Sequence, residues 1–127
     1  MNTYSKLLLR FSALFALLGA FIGSHMAGSS SYEFQSVHAH ILVVGWLSLF
    51  AFAVFYKVFT VNSPLLAKIH VWTAIIGSIG LTTGMWLYYV NPFNMDGAFP
   101  LIFFIVGGST LMISFFVFAI MAFMTKE

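Results

Sequence analysis

Apolar residues in this chain run in long blocks, without the spacing of a single buried helix face or of a strand. Four stretches, 7–27, 37–59, 69–90 and 101–123, are almost wholly apolar, and the residues that interrupt regular backbone fall between them. A membrane-crossing helix needs about 20 mostly apolar residues. The pattern therefore predicts four transmembrane helices in one domain over 1–127, an all-α integral membrane four-helix bundle. Gly28 to Ser31, Asn62 to Pro64 and Asn91 to Pro100 mark the connections, and all 3 prolines lie outside the spans, as backbone that cannot turn to water requires. Ser63 followed by Pro64 reads as an N-cap and first helical residue, which starts the third helix a turn or more before its apolar stretch.

Composition sharpens this picture. The chain is 61% hydrophobic and 6% charged, with a mean hydropathy of +1.03, where soluble domains carry about a quarter charged residues. A soluble domain, a disordered chain and a nucleic-acid-binding protein are excluded, and the net charge of +2 contains no basic run. Lys6, Arg10, Lys57, Lys68 and Lys126 all fall on one side of the four-span pattern, with Glu33 and Asp96 on the other. Cytoplasmic flanks are enriched in Lys and Arg, so both termini are expected in the cytoplasm and the protein in the inner membrane. Trp72 and Tyr56 near the inner boundary, with Trp86, Tyr88 and Tyr89 near the outer one, fit interfacial belts. A cleaved signal peptide is the alternative for the first segment, but its apolar stretch exceeds the 7–15 residues of a signal core.

Glycines recur at four-residue spacing in Gly19-x-x-x-Gly23 and Gly80-x-x-x-Gly84, with Gly77, Gly107 and Gly108 nearby. Such spacing lets helices approach closely. It predicts tight packing within one bundle, with self-association or room for a flat cofactor as the sharper reading.

Candidate chemistry rests on four histidines. With 0 cysteines there is no disulfide, no thiolate metal site and no covalent haem attachment. His25, His38 and His40 share the outer depth, while His70 lies near the inner start of the third span, where the plain expectation is a hydrogen bond to a carbonyl or water. Ionisable residues inside a membrane are costly and are functional candidates by default. Helical residues turn about 100° each, so His38 and His40 point about 200° apart and cannot chelate one ion from an undistorted helix. That arrangement suits haem, whose iron takes one or two axial protein ligands. Gly45, seven residues beyond His38, is expected to leave room for a porphyrin, with Trp46 stacked on it or bonded within the bundle. Met26 and Met85 are further axial candidates, though methionine is more often filler.

The string His38-Ala39-His40 through Gly45-Trp46, running on to Tyr56-Lys57 and then Lys68-Ile69-His70-Val71-Trp72, resembles the small four-span proteins related to subunit I of haem-copper oxidases and nitric oxide reductases. The likeness covers roughly residues 15–90. It implies that His38 is a low-spin haem ligand, that His38 and His40 serve opposite faces, and that the chain corresponds to one four-helix arc of a larger assembly, hence a homo-oligomer. The fourth span carries no histidine for a copper site, so a complete dioxygen- or nitric-oxide-reducing centre is not expected in one protomer. There is also no outer Lys or Arg for haem propionates, which leaves Ser29, Ser30, Tyr32, Tyr88 and Asn91 as donors.

Hydrolytic, phosphoryl-transfer and dinucleotide motifs are absent, and no acid lies within a span to support proton-coupled transport. The sequence thus points to a membrane protein binding haem b through His38, His40 and His25, with Gly45 and Trp46 beside it. Its expected role is electron transfer from a respiratory donor or binding of a diatomic gas. A copper or zinc protein using the same three histidines, and a non-catalytic subunit of a respiratory complex, are the alternatives.

Overall fold

The computed structural model describes residues 2–125, so Lys126 of the charge pattern lies outside the described residues. Four helices follow in order: α1 (Asn2–Ser29), α2 (Gln35–Val58), α3 (Pro64–Val90) and α4 (Phe99–Met124). All four are long and apolar enough to cross a membrane. At 1.5 Å per residue they measure about 36–42 Å, beyond the roughly 30 Å hydrocarbon core. One end of the bundle carries the α1–α2 and α3–α4 connections and is called the loop end below; the other, with the α2–α3 connection and both chain ends, is the terminal end.

Local chemistry sets the helix limits. The Ser63 hydroxyl accepts from the Leu66 N–H at 3.3 Å with Pro64 opening α3, as the sequence predicts. At the other end of α3, Asn91 takes a left-handed conformation at φ 47°, and its side-chain amide clasps Met95 through bonds of 2.9 and 3.2 Å. Two stretches depart from α geometry. Ile41–Ser48 in α2 and Trp86–Val90 at the end of α3 are π-helical. In the first, the Ser48 hydroxyl donates to the carbonyl five residues back, Val43, at 2.9 Å; in the second, the Asn91 N–H bonds the Trp86 carbonyl at 3.1 Å. Such turns are rare and concentrate at functional sites.

The helices pack as two pairs. In α3–α4 the backbones touch: a Cβ on Gly77 would stand 2.5 Å from the Leu111 nitrogen, and one on Gly84 2.5 Å from the Phe104 Cα, while Gly107 lies against Gly80. In α1–α2 side chains fill the glycine gaps instead, Leu42 over Gly19, His38 over Gly23 and Phe15 over Gly45. The glycine spacings are therefore used inside one bundle. Phe52 and Phe55 of α2 join the pairs near the terminal end, meeting Phe118 of α4 at ring separations of 4.9 and 5.1 Å. Large apolar side chains such as Leu14, Leu17, Phe21 and Phe116 remain exposed around the outside, as a lipid-facing surface requires.

Candidate functional site

The pair His38–Ala39–His40 falls in the last turn of α geometry before the π-helical stretch begins at Ile41, and its rings take opposite directions. His38 turns inward and packs on α1, where a Cβ added to Gly23 would meet its Cε1 at 2.9 Å. Its Nδ1 is buried without a hydrogen-bond partner. His40 is exposed. Its Nδ1 lies 2.9 Å from the Ser36 carbonyl oxygen; because that oxygen only accepts, Nδ1 carries the proton and Nε2 presents a lone pair. A bond from one ring nitrogen to a backbone carbonyl is the usual way a metal-ligating histidine is oriented and its tautomer fixed. Of the two rings, His40 is the accessible one with a fixed orientation, and His38, which the sequence places first, is turned inward.

His25, near the end of α1, is also exposed, and its ring stands 6.3 Å from that of Phe34. Among the described residues no three of the His, Cys, Asp and Glu side chains come together as a group able to hold a metal ion. The copper or zinc site expected from His25, His38 and His40 is therefore not assembled within one chain, since the rings diverge. Gly45 departs from expectation as well. It does lie on the His38 side of α2, facing α1, but the Phe15 ring occupies the gap, so no room for a porphyrin remains there. Trp46 is 41% exposed. Met26 and Met85 are buried filler. Of the propionate donors, Ser29 is committed to the His25 carbonyl at 2.8 Å and Asn91 to Met95, while Ser30, Tyr32 and Tyr88 are exposed.

The site that the sequence gives least warning of lies toward the terminal end. His70 is fully buried, and its Nδ1 is 2.7 Å from the Tyr56 hydroxyl, which also approaches the Ala67 carbonyl at 3.4 Å and the Met121 sulfur at 3.8 Å. Phe52 stands edge-on to the imidazole at 4.4 Å, with Phe118 at 5.8 Å. Whichever partner donates in the Tyr56–His70 bond, Nε2 is left buried and unpaired. The cluster joins α2, α3 and α4. Tyr56 and His70 are each apolar-span residues flanked by lysines in sequence, and only their fourteen-residue separation, closed by the α2–α3 turn, hints at the contact.

Compared with family models, curated proteins and solved structures, the chain matches none. Its function must be read from the geometry and the sequence pattern.

Proposed function

We propose that this protein binds haem b at the loop end of the bundle through His40, acting in electron transfer or in binding a diatomic gas. The observation that carries the reading is the exposed imidazole of His40, with Nδ1–H held by the Ser36 carbonyl and Nε2 free. The resemblance of the His38 to Trp46 string to haem-copper oxidase subunit I supports the same choice of cofactor. One chain supplies the ligand but not the pocket. Phe15 fills the space at Gly45, and His40 faces outward, so the haem would lie on the outer surface of α2 and be covered by another copy of the chain. Of the other histidines at this end, the exposed His25 of another copy could supply a second ligand, whereas His38 is turned onto α1 of its own chain. With the termini in the cytoplasm, as the basic residues suggest, the site faces the outer half of the bilayer.

When bound, haem supplies a one-electron couple if both axial positions are taken by protein, or an open iron position if one is. The chain's own contribution is to fix the His40 ring through Ser36 and to exclude water with the apolar α2 surface.

The test is the absorption spectrum and pyridine haemochrome of protein purified in detergent from cells well supplied with haem. Wild type should carry haem b; His40→Ala should lose it, and His70→Ala should retain it. A colourless wild-type protein, or full haem content in His40→Ala, overturns the reading.

A further inference from the structure

Arg10 lies within the apolar stretch 7–27 of α1, about 12 Å along the helix from its start at Asn2. Its side chain is exposed, between Leu9 and Leu14, which are themselves 47% and 63% exposed. Lys6, one turn earlier, is exposed as well. Residues four apart on a helix are surface neighbours, with Cβ atoms about 5–6 Å apart, so the two cations share a face. That face continues through Leu14, Leu17 and Phe21, all exposed, at helical spacings of three and four. Arg10 to Phe21 is about 16 Å, close to the roughly 15 Å that one leaflet contributes to the hydrocarbon core. The helix thus presents a stripe with two cations toward the terminal end and a hydrocarbon surface one leaflet long beyond them.

A guanidinium among lipid-facing leucines is costly unless an anion or water meets it. The acids among the described residues, Glu33 and Asp96, belong to the loop-end connections, far from Arg10 along the bundle. Lys57 and Lys68 add two further exposed cations at the terminal end. This one-sided charge also selects among headgroups. A zwitterionic head brings an ammonium that would meet only like charge, whereas an anionic head brings its phosphate without one. Phosphate suits the pair, because arginine takes two of its oxygens in a bidentate bond and lysine adds a point charge.

We propose that Lys6 and Arg10 hold the phosphate of an anionic phospholipid whose acyl chains lie along Leu14, Leu17 and Phe21. Such a lipid combines what the stripe requires: a negative head at the terminal end and a hydrocarbon body of matching length. The inference goes beyond the haem reading and does not require it, because the two cations stand on a different helix from His40 and toward the opposite end of the bundle.

Full-length protein in a neutral detergent, titrated with dioleoyl phosphatidylglycerol and followed by native mass spectrometry, tests the assignment. A first lipid should bind saturably and more tightly than dioleoyl phosphatidylcholine. Arg10→Gln should raise the half-saturation concentration about fivefold, the effect of one cation near a lipid phosphate, and Lys6→Gln/Arg10→Gln about twenty-fivefold. Arg10→Lys, which keeps the charge but not the bidentate bond, should fall between wild type and Arg10→Gln. Lys68→Gln removes the same charge from the same end, but from α3, and should leave binding unchanged. Equal affinity for phosphatidylcholine overturns the proposal, as does indifference to Arg10→Gln. So does an equal loss in Lys68→Gln, which would reduce the attraction to a diffuse field. Glycerol phosphate binding as tightly as the phospholipid would make this a free-phosphate site, and oleate binding as tightly a carboxylate site; either result overturns the assignment. Haemochrome content of the same preparations reports separately on His40, so the failure of one reading is distinguishable from failure of the other.

Discussion

His40 and His70 begin from the same local arrangement and end in opposite roles. Each ring is tied through Nδ1, to the Ser36 carbonyl at 2.9 Å in one case and to the Tyr56 hydroxyl at 2.7 Å in the other, and neither has a hydrogen bond at Nε2. His40 stands on the exposed face of α2 at the loop end; His70 is sealed by Phe52, Phe118 and Tyr56 near the terminal end. The difference teaches that a fixed tautomer does not by itself make a ligand, since access decides whether the free nitrogen can meet anything. At the terminal end the polar pair ties three helices together. At the loop end the same residue type is left available, beside an eight-residue π-helical stretch.

If the packed parts of the bundle hold the fold while the loop-end histidine is spare, substitutions should sort by region. The largest effect belongs to Gly84→Leu: with Phe104 backbone 2.5 Å from the new Cβ, neither helix can yield, and the α3–α4 pair should fail to form. Loss of folded protein by detergent size exclusion and circular dichroism is the readout, and normal assembly would show that this face tolerates separation. Gly45→Ala follows, since it drives Phe15 off its rotamer at about 1–3 kcal/mol. Phe15→Leu in the same chain should recover most of that loss, and a lack of recovery in steric-trapping or mild-denaturant measurements would mean that the gap is not filled by Phe15. Tyr56→Phe should cost about 1–3 kcal/mol by leaving the His70 Nδ1 buried and unpaired, with Tyr56→Phe/His70→Leu closer to wild type than Tyr56→Phe alone. Smallest is His40→Ala, an exposed change expected within about 0.5 kcal/mol. Haem content should rank the set differently, with His40→Ala losing haem while Tyr56→Phe keeps it; a His40→Ala protein as unstable as Tyr56→Phe would erase the distinction between the two rings.

The four helices were legible because the bilayer imposes a length and a composition on each segment independently of its neighbours. The apolar stretch 37–59 becomes Gln35–Val58, and 101–123 becomes Phe99–Met124. α3 begins before its apolar stretch, at the Ser63–Pro64 signal. The divergence of His38 and His40 was legible for a similar reason, since two residues inside one α-helical turn have a fixed angle between them. Gly45 was not. Its missing side chain reads equally well as space for a cofactor or as a socket for a neighbouring ring, and only the placement of α1 puts Phe15 into it. Neither π-helical stretch has a sequence signal of its own, and the ranking of His40 over His38 depends on which ring faces α1.

The sequence by itself determined that four helices are suited to a membrane, where each must end, and which side chains could do chemistry, because hydrophobic length, caps and residue type are properties of a segment. Tertiary structure alone decided which imidazole is sealed and which is open, that Tyr56 closes on His70, and that the glycines serve contacts within the bundle. Those outcomes depend on how helices distant in the chain are rotated against one another. In an apolar solvent that rotation is chosen by close packing and hydrogen bonding between helices, which no single segment encodes.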